Sequence, residues 1–519
     1  MNKIVWAILL FIPIGLLAQK TVDLLPGEYW WGGQVSDASA MPFDEDYKAD
    51  LRVNEGAQVQ PLLVSNKGRY IWNERPFSIH QYGRTLVLSG ATGFVIGKSG
   101  KTLADAQKFA AENFMVYAGQ APDQAQFELP VYTLHTSHQA HVNQDMVLGY
   151  AQSILDDGLP AGIIKIGDGW QVSQGDWRFD PEAFSNPQAM INELHQKGFK
   201  IMVWISPFVS PDSKTFRKLL ANEGSFLMDA FDPEICKIVS WEGGYSAILD
   251  LTQPVVKISF QNQLLDLQKE TGVDGFLFSG GNSAYYENTV SNGGSSPEEQ
   301  AKAITEVGLK FGINEYDAAW KMGGYPLVHS TTGRLSWPDF KYMSNQVAVQ
   351  GIMGYPYASW NFDEKNQASA KDSFYQELVV RVVQAQAFLP VMNVPYNAVK
   401  TLDKRHKDAC IAAIKLHQDH SKNFMMLAGK AAETGSPMVQ LLEYAYPEKG
   451  YQYNTEMFAL GSDIIVAPVL EQGQRRKKVM LPEGLWLGPD GRGYQGPQEV
   501  NLMIDINTIP YFKKAKIAK

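Results

Sequence analysis

Gly272-Val273-Asp274-Gly275-Phe276-Leu277-Phe278-Ser279-Gly280-Gly281-Asn282 places a short apolar run between turn residues. Such a run suits an interior strand of a parallel sheet, where both faces are covered and the alternation of a half-exposed strand disappears. Its glycine-rich exit predicts a tight loop at the strand's carboxyl end, where parallel barrels mount their functional groups. Asp274 opens the strand, about five residues and roughly 16 Å from Ser279, so it belongs to the opposite end.

Outward from this strand, apolar runs and helical stretches alternate. Pro130-Val131-Tyr132-Thr133-Leu134 reads as a first strand, Gln144 to Leu155 as a helix, and Ile163-Ile164-Lys165-Ile166 as a second strand. A helix over 187–197 precedes the strand Lys200 to Ile205. Further strands are expected at Ala247-Ile248-Leu249, Pro326-Leu327-Val328 and Ile352-Met353-Gly354-Tyr355, with long helices at Gln376 to Phe388 and Lys407 to Ala432. Repeated strand–helix alternation predicts an α/β fold built on a (β/α)8 TIM barrel. Residues 19–126 carry short alternating runs rich in Gly and Pro, which predict an N-terminal β-sandwich domain. The barrel is expected over 127–449 and a small C-terminal β domain over 450–519.

The 519 residues are 45% hydrophobic and 19% charged, with 12 Trp, 23 Tyr and 25 Phe, so a large core with aromatic side chains to spare is available. The net charge of -9 argues against a nucleic-acid partner. The clusters Arg475-Arg476-Lys477-Lys478 and Lys513-Lys514 are expected on solvated loops. Lys3, the apolar run Ile4 to Leu17 and Ala18 before Gln19 follow the plan of a signal peptide over 1–18. The run is shorter than the roughly 20 residues that span a bilayer. No stable membrane anchor is expected, and an exported product, periplasmic or secreted, is. Cys236 and Cys410, far apart in sequence, are expected as free thiols.

The chain resembles glycoside hydrolase family 31. The resemblance rests on Asp168-Gly169-Trp170, Gly175 to Asp180, Trp204-Ile205-Ser206-Pro207-Phe208, Asn314-Glu315-Tyr316, Gly354-Tyr355-Pro356 and Leu460 to Val469. It implies a retaining α-glycosidase fold in which one Asp attacks the anomeric carbon and another protonates the leaving oxygen. That chemistry needs two carboxyl groups about 5–5.5 Å apart. Family members usually write the opening strand as Asp-Gly-Phe-Lys-Phe-Asp followed by Gly and an acid; here Leu277, Ser279 and Asn282 replace the Lys, the nucleophilic Asp and the acid. Relatives of this type carry Arg, an Asp three residues later, and then Trp. Anchoring on Trp337 puts His329 at the Arg and Thr332 at the acid/base Asp. Gly167 and Asn361 likewise replace acids.

A serine hydroxyl attacks only if a base takes its proton, and none stands near Ser279 in sequence. The resemblance therefore implies a catalytically impaired homologue that binds carbohydrate at the barrel mouth. Candidate sugar contacts are Asp168, Trp170, Trp204, His329, Trp337, Trp360 and Asn361, with packing as the alternative for each Trp and turn capping for Asp168. Asn314 and Glu315 are read as hydrogen-bonded framework following a helix. An active retaining glycosidase stays open if its carboxylates come from Asp339, Asp363 or Glu364, or if an acetamido group on the substrate assists. His135, His138 and His141 would support a metal-dependent hydrolase only if they shared a face. Without helix caps or acidic partners they read as a polar loop, and neither metal nor cofactor is expected.

Overall fold

A computed structural model describes residues 19–52, 57–117, 119–134, 142–222, 224–241, 244–363 and 373–515. Its centre is an eight-stranded parallel sheet: β1 (Val131–Leu134), β2 (Ile163–Ile166), β3 (Lys200–Ile205), β4 (Gly275–Phe278), β5 (Ile313–Tyr316), β6 (Val328–Arg334), β7 (Ala358–Asp363) and β8 (Asn393–Val394). β8 pairs back onto β1, and a parallel bridge from Ser359 to Val391 closes the cylinder. This is the expected (β/α)8 barrel.

Two expected barrel strands are corrected. Ala247-Ile248-Leu249 lies in an excursion between β3 and β4, where Gly244–Ile248 pairs antiparallel with Phe208–Val209 and with Ile238–Trp241. Ile352 ends the helix Trp337–Ile352, whose Ser336 hydroxyl caps its first turn, so β7 begins six residues later at Ala358. The short apolar runs were equally compatible with a helix end or a hairpin. β5 and β8 fill the remaining places. The expected long helix from Lys407 is two, Lys404–Asp419 and Ser421–Thr434.

The connection from β5 to β6 contains no helix. Ala319–Trp320 instead pairs in parallel with Gln58–Val59 of an N-terminal strand, Gln58–Ser65. That strand belongs to a five-stranded sheet, four strands of which come from residues 30–98 and the fifth of which is Ala319–Trp320, beside a four-stranded sheet from residues 20–89; the helix Leu103–Phe114, opened by a Thr102/Asp105 capping box, follows them. The N-terminal domain thus holds the loop after β5 directly. The C-terminal sheet has six strands, beginning at Val439–Leu441, before the expected boundary at 450.

The basic clusters are corrected as well. Arg476, Lys477 and Lys478 open a strand, Arg476–Leu487, and buried Lys477 reaches Glu456 at 2.8 Å; Lys513 and Lys514 end the strand Tyr511–Lys514. Both cysteines are free. Among the described residues no helix is long and apolar enough to cross a membrane, and no group of three or more His, Cys, Asp or Glu could hold a metal ion. The expected signal segment and His135, His138 and His141 lie outside the described residues.

Candidate functional site

The barrel axis can be located from side chains that meet although their strands are not neighbours. Lys165 on β2 reaches Glu315 on β5, Nζ to Oε1 2.9 Å, and Asn361 on β7, Nζ to Oδ1 2.7 Å. The Asn361 amide closes the triangle by donating to Glu315 Oε1 at 2.8 Å. Only the interior brings these three strands together. Burial pushes the Lys165 ammonium below its ordinary value, against the pull of Glu315. Asn361, expected as a sugar contact, is a partner in this network.

Register carries the interior face upward. Trp204, Leu277 and Glu315 are aligned across β3, β4 and β5, so Ser279 and Asp317, each two residues further on, share their face. Ser279 Oγ donates to Asp317 Oδ2 at 2.6 Å, and the Trp204 indole N–H donates to the same Oγ at 3.0 Å. Burial pushes the Asp317 carboxyl up to about 6, offset in part by the Ser279 hydrogen bond and reinforced by the charge of Glu315. Asp317 Oδ1 and Glu315 Oε2 are buried and have no hydrogen-bond partner among the described residues.

The loops are fitted to hold this contact. Gly280 adopts φ +94, and a Cβ there would stand 2.5 Å from Pro207; a Cβ on Gly281 would stand 2.1 Å from the Ala318 carbonyl oxygen. The glycines let the loop after β4 lie against the loop after β5. From the N-terminal sheet, the Gln58 amide donates to the backbone carbonyls of Asp317 and Ser330, both at 3.1 Å.

The other expected residues divide. Trp204 lines the interior, Trp337 is half-buried, and Thr332 is exposed at the end of β6 in register with Asn361. Asp168 caps its own turn: Oδ1 accepts from Gly169 N, Gln171 Nε2 and Gln174 Nε2. Three expectations are corrected. Trp170 is 0% exposed and donates to the Trp204 carbonyl within a cluster of Trp177 and Phe179. Trp360 is 1% exposed and stacks on Phe340 of the helix after β6, because even positions of β7 face the helix layer. His329 is 1% exposed behind the barrel wall, edge-on to Tyr355, and burial pushes it down to about 3, so it is neutral.

Asp339 is tied to Arg334, with Oδ2 2.8 Å from the backbone N and 3.1 Å from Nε. Burial raises its carboxyl, but the Arg334 contacts outweigh that and hold it below the usual range, which unfits it as a proton donor. The side chain of Asp363 and all of Glu364 lie outside the described residues.

Sequence reasoning missed Asp317, whereas Asn314 and Glu315, read as hydrogen-bonded framework, are that: Glu315 is held by Lys165 and Asn361, and Asn314 by the Phe311 carbonyl. The signal was present: Glu315 and Asp317 sit two apart, and at strand spacing that puts two acids on one face. Reading Asn314 and Glu315 only as residues following a helix left the strand Ile313–Tyr316 unrecognised. Asn314 and Tyr316 do face outward, bonding to Phe311 O and Thr305 O.

A model described as the glycosyl hydrolases family 31 TIM-barrel domain matches residues 127–416, and one described as the family's C-terminal domain matches residues 435–516. The Myogenesis-regulating glycosidase of Mus musculus is 25% identical over 441 residues, 80% of this chain and 60% of that protein. The Isomaltosyltransferase of Sporosarcina globispora is 23% identical over 379 residues, 64% of this chain and 33% of that protein. The chain therefore spans less than two thirds of the length of either relative. Among solved structures, an alpha-xylosidase of the family from a soil metagenome, complexed with xylose, superposes with a TM-score of 0.81 at 20% identity, covering 96% of this chain and 79% of its own. The Flavobacterium johnsoniae family 31 dextranase, complexed with glucose, gives a TM-score of 0.79 at 19% identity, covering 96% and 66%. These structures share the fold, and the barrel model spans more than half of the sequence. The chain belongs to glycosyl hydrolase family 31.

Proposed function

We propose that this protein binds α-linked carbohydrate at the mouth of its barrel and lacks the family's two-carboxyl cleavage chemistry. The observation that supports this reading is that the side chains at the carboxyl ends of β4 and β6, the positions that the family resemblance assigns to nucleophile and proton donor, are the half-buried Ser279 and the exposed Thr332, neither of them a carboxylate. Glu315, an acid within the barrel, is bound to Lys165 and Asn361. The relatives named for xylosides, dextran and isomaltosyl transfer supply the probes: gluco- and xylo-configured α-saccharides.

Calorimetry with isomaltose, isomaltotriose and xylosides, beside a panel of aryl α-glycosides, tests the reading. Saturable binding without turnover, weakened by Trp204→Ala, is expected. Hydrolysis by purified protein that disappears in Asp317→Asn would instead establish a second reading, an active glycosidase with relocated groups, for which Asp317 beside Ser279 is the supporting observation. The proposal extends to export, on the strength of the Lys3 to Ala18 segment. Mass spectrometry of protein from the periplasm or medium is expected to find Gln19 as the first residue.

A further inference from the structure

A hydroxyl has one proton to give and two lone pairs to receive. In Ser279 the proton goes to Asp317 Oδ2 and one lone pair takes the Trp204 indole N–H. One acceptor position is left on an oxygen at the carboxyl end of β4, half-buried and facing the barrel interior. When Asp317 carries a proton, that proton lies on the 2.6 Å line between the two oxygens and occupies the second lone pair. The serine's own hydrogen is then free to point at a ligand.

We propose that Ser279 and Asp317 form one hydroxyl-reading unit, in which Ser279 offers a bound sugar an acceptor while Asp317 is ionised and a donor once Asp317 is protonated. The inference rests on the carbohydrate-binding reading above and specifies its chemistry. The surroundings make the protonation accessible near neutrality. Burial raises the Asp317 carboxyl and the charge of Glu315, two residues earlier in the chain, adds to the rise; set against the lowering hydrogen bonds from Ser279 and the backbone, the outcome is a value of about 6. Other polar groups near the unit do not supply a cation to Asp317. The Lys165 ammonium is committed to Glu315 and Asn361; the Tyr286 hydroxyl, on the segment after Ser279, donates to the Gly280 carbonyl; Gln58, from the N-terminal sheet, reaches the Asp317 carbonyl and not its carboxyl.

A sugar hydroxyl satisfies either state because it both donates and accepts, whereas a C–F group accepts only. The test uses methyl α-glucoside and methyl α-xyloside with their monodeoxyfluoro analogues, one for each ring hydroxyl, titrated calorimetrically at pH 7.5 and pH 5. For one ring position, fluorine is expected to weaken binding about 3- to 10-fold at pH 7.5, the worth of one neutral hydrogen bond, and to recover at pH 5. Ser279→Ala is expected to abolish the difference between hydroxyl and fluorine at both pH values. Asp317→Asn is expected to keep binding and lose its pH dependence. If the parent sugars bind and no position shows a pH-dependent fluorine penalty, the hydroxyl-reading unit is refuted while the binding reading stands. If no parent sugar binds, both are refuted.

Discussion

Lys165 and Glu315 meet across the barrel axis at 2.9 Å, each 1% exposed, with Asn361 completing the contact from a third strand. A charge pair here ties together β2, β5 and β7, and its value lies in being complete. Removing one partner of a buried pair leaves an uncompensated charge, which costs about 3–5 kcal/mol.

Lys165→Met is therefore expected to lower the unfolding free energy by about that amount, measured by urea denaturation at pH 7. Lys165→Met combined with Glu315→Leu is expected to recover most of the loss, since no charge is stranded. A double variant as unstable as the single would show that the hydrogen bonds of Asn361 dominate instead.

Asp317 should make the folded protein less stable at neutral pH. Its folded carboxyl is raised to about 6, above the unfolded value of about 3.9. Between these values the native state binds more protons than the unfolded one, so stability falls as pH rises and the cost is complete above about pH 6. Asp317→Asn is expected to stabilise by about 1–3 kcal/mol at pH 7.5 and by progressively less toward pH 4. Thermal melts of both proteins across this range check the sign.

His329 acts in the opposite direction. Burial depresses it to about 3, below the unfolded value of about 6.5. Its stabilising effect as a neutral ring is present above pH 6.5 and is lost as pH falls toward 3. His329→Phe is expected to flatten this part of the pH–stability curve, by about 1–2 kcal/mol at pH 5. Neither ring nitrogen has a hydrogen-bond partner among the described residues, so no polar contact is lost.

Restoring the family's carboxyl groups is expected to depend on Asp317. Ser279→Asp would set a second carboxylate against Asp317, and such a pair holds a proton between its members. Ser279→Asp with Thr332→Asp is expected to be silent toward aryl α-glycosides, and adding Asp317→Asn is expected to bring measurable release of the aryl group. Equal rates for the double and triple variants would show that Asp317 does not interfere.

Trp360→Ala is expected to cost about 3–5 kcal/mol of stability, as for a large aromatic lost from a packed core. Its ring lies on Phe340, 6.1 Å between centroids, and away from the barrel interior. Calorimetry of the surviving folded protein is expected to show unchanged affinity for sugars.

How far the fold could be read depended on the length and covering of each strand. β2, β3 and β4 are apolar runs flanked by helices, and they stand where the sequence places them. β5 escaped because Asn314 and Glu315 look like loop residues until each finds its partner, one in the Phe311 carbonyl and one in the Lys165 ammonium. The excursion strand at Gly244–Ile248 is apolar for the opposite reason, covered by an antiparallel partner outside the barrel. In the site, the identities of Ser279 and Thr332 were legible, while Trp360 and His329 were misplaced because strand parity decides which side of the wall a ring occupies, and Trp170 because the loop after β2 folds it under the Trp204 carbonyl.

By itself the sequence determined the family, the barrel and the identity of the side chains at the ends of β4 and β6, because each of these is written in contiguous residues. Only the tertiary structure decided what those side chains meet. Ser279 and Asp317 are 38 positions apart, on neighbouring strands whose alignment is set by backbone hydrogen bonds and by glycines that admit a close loop approach. Lys165, Glu315 and Asn361 converge because a closed cylinder brings distant strands face to face. Pairing across strands, and the burial that shifts a carboxyl, arise from that closure and have no local signature in the chain.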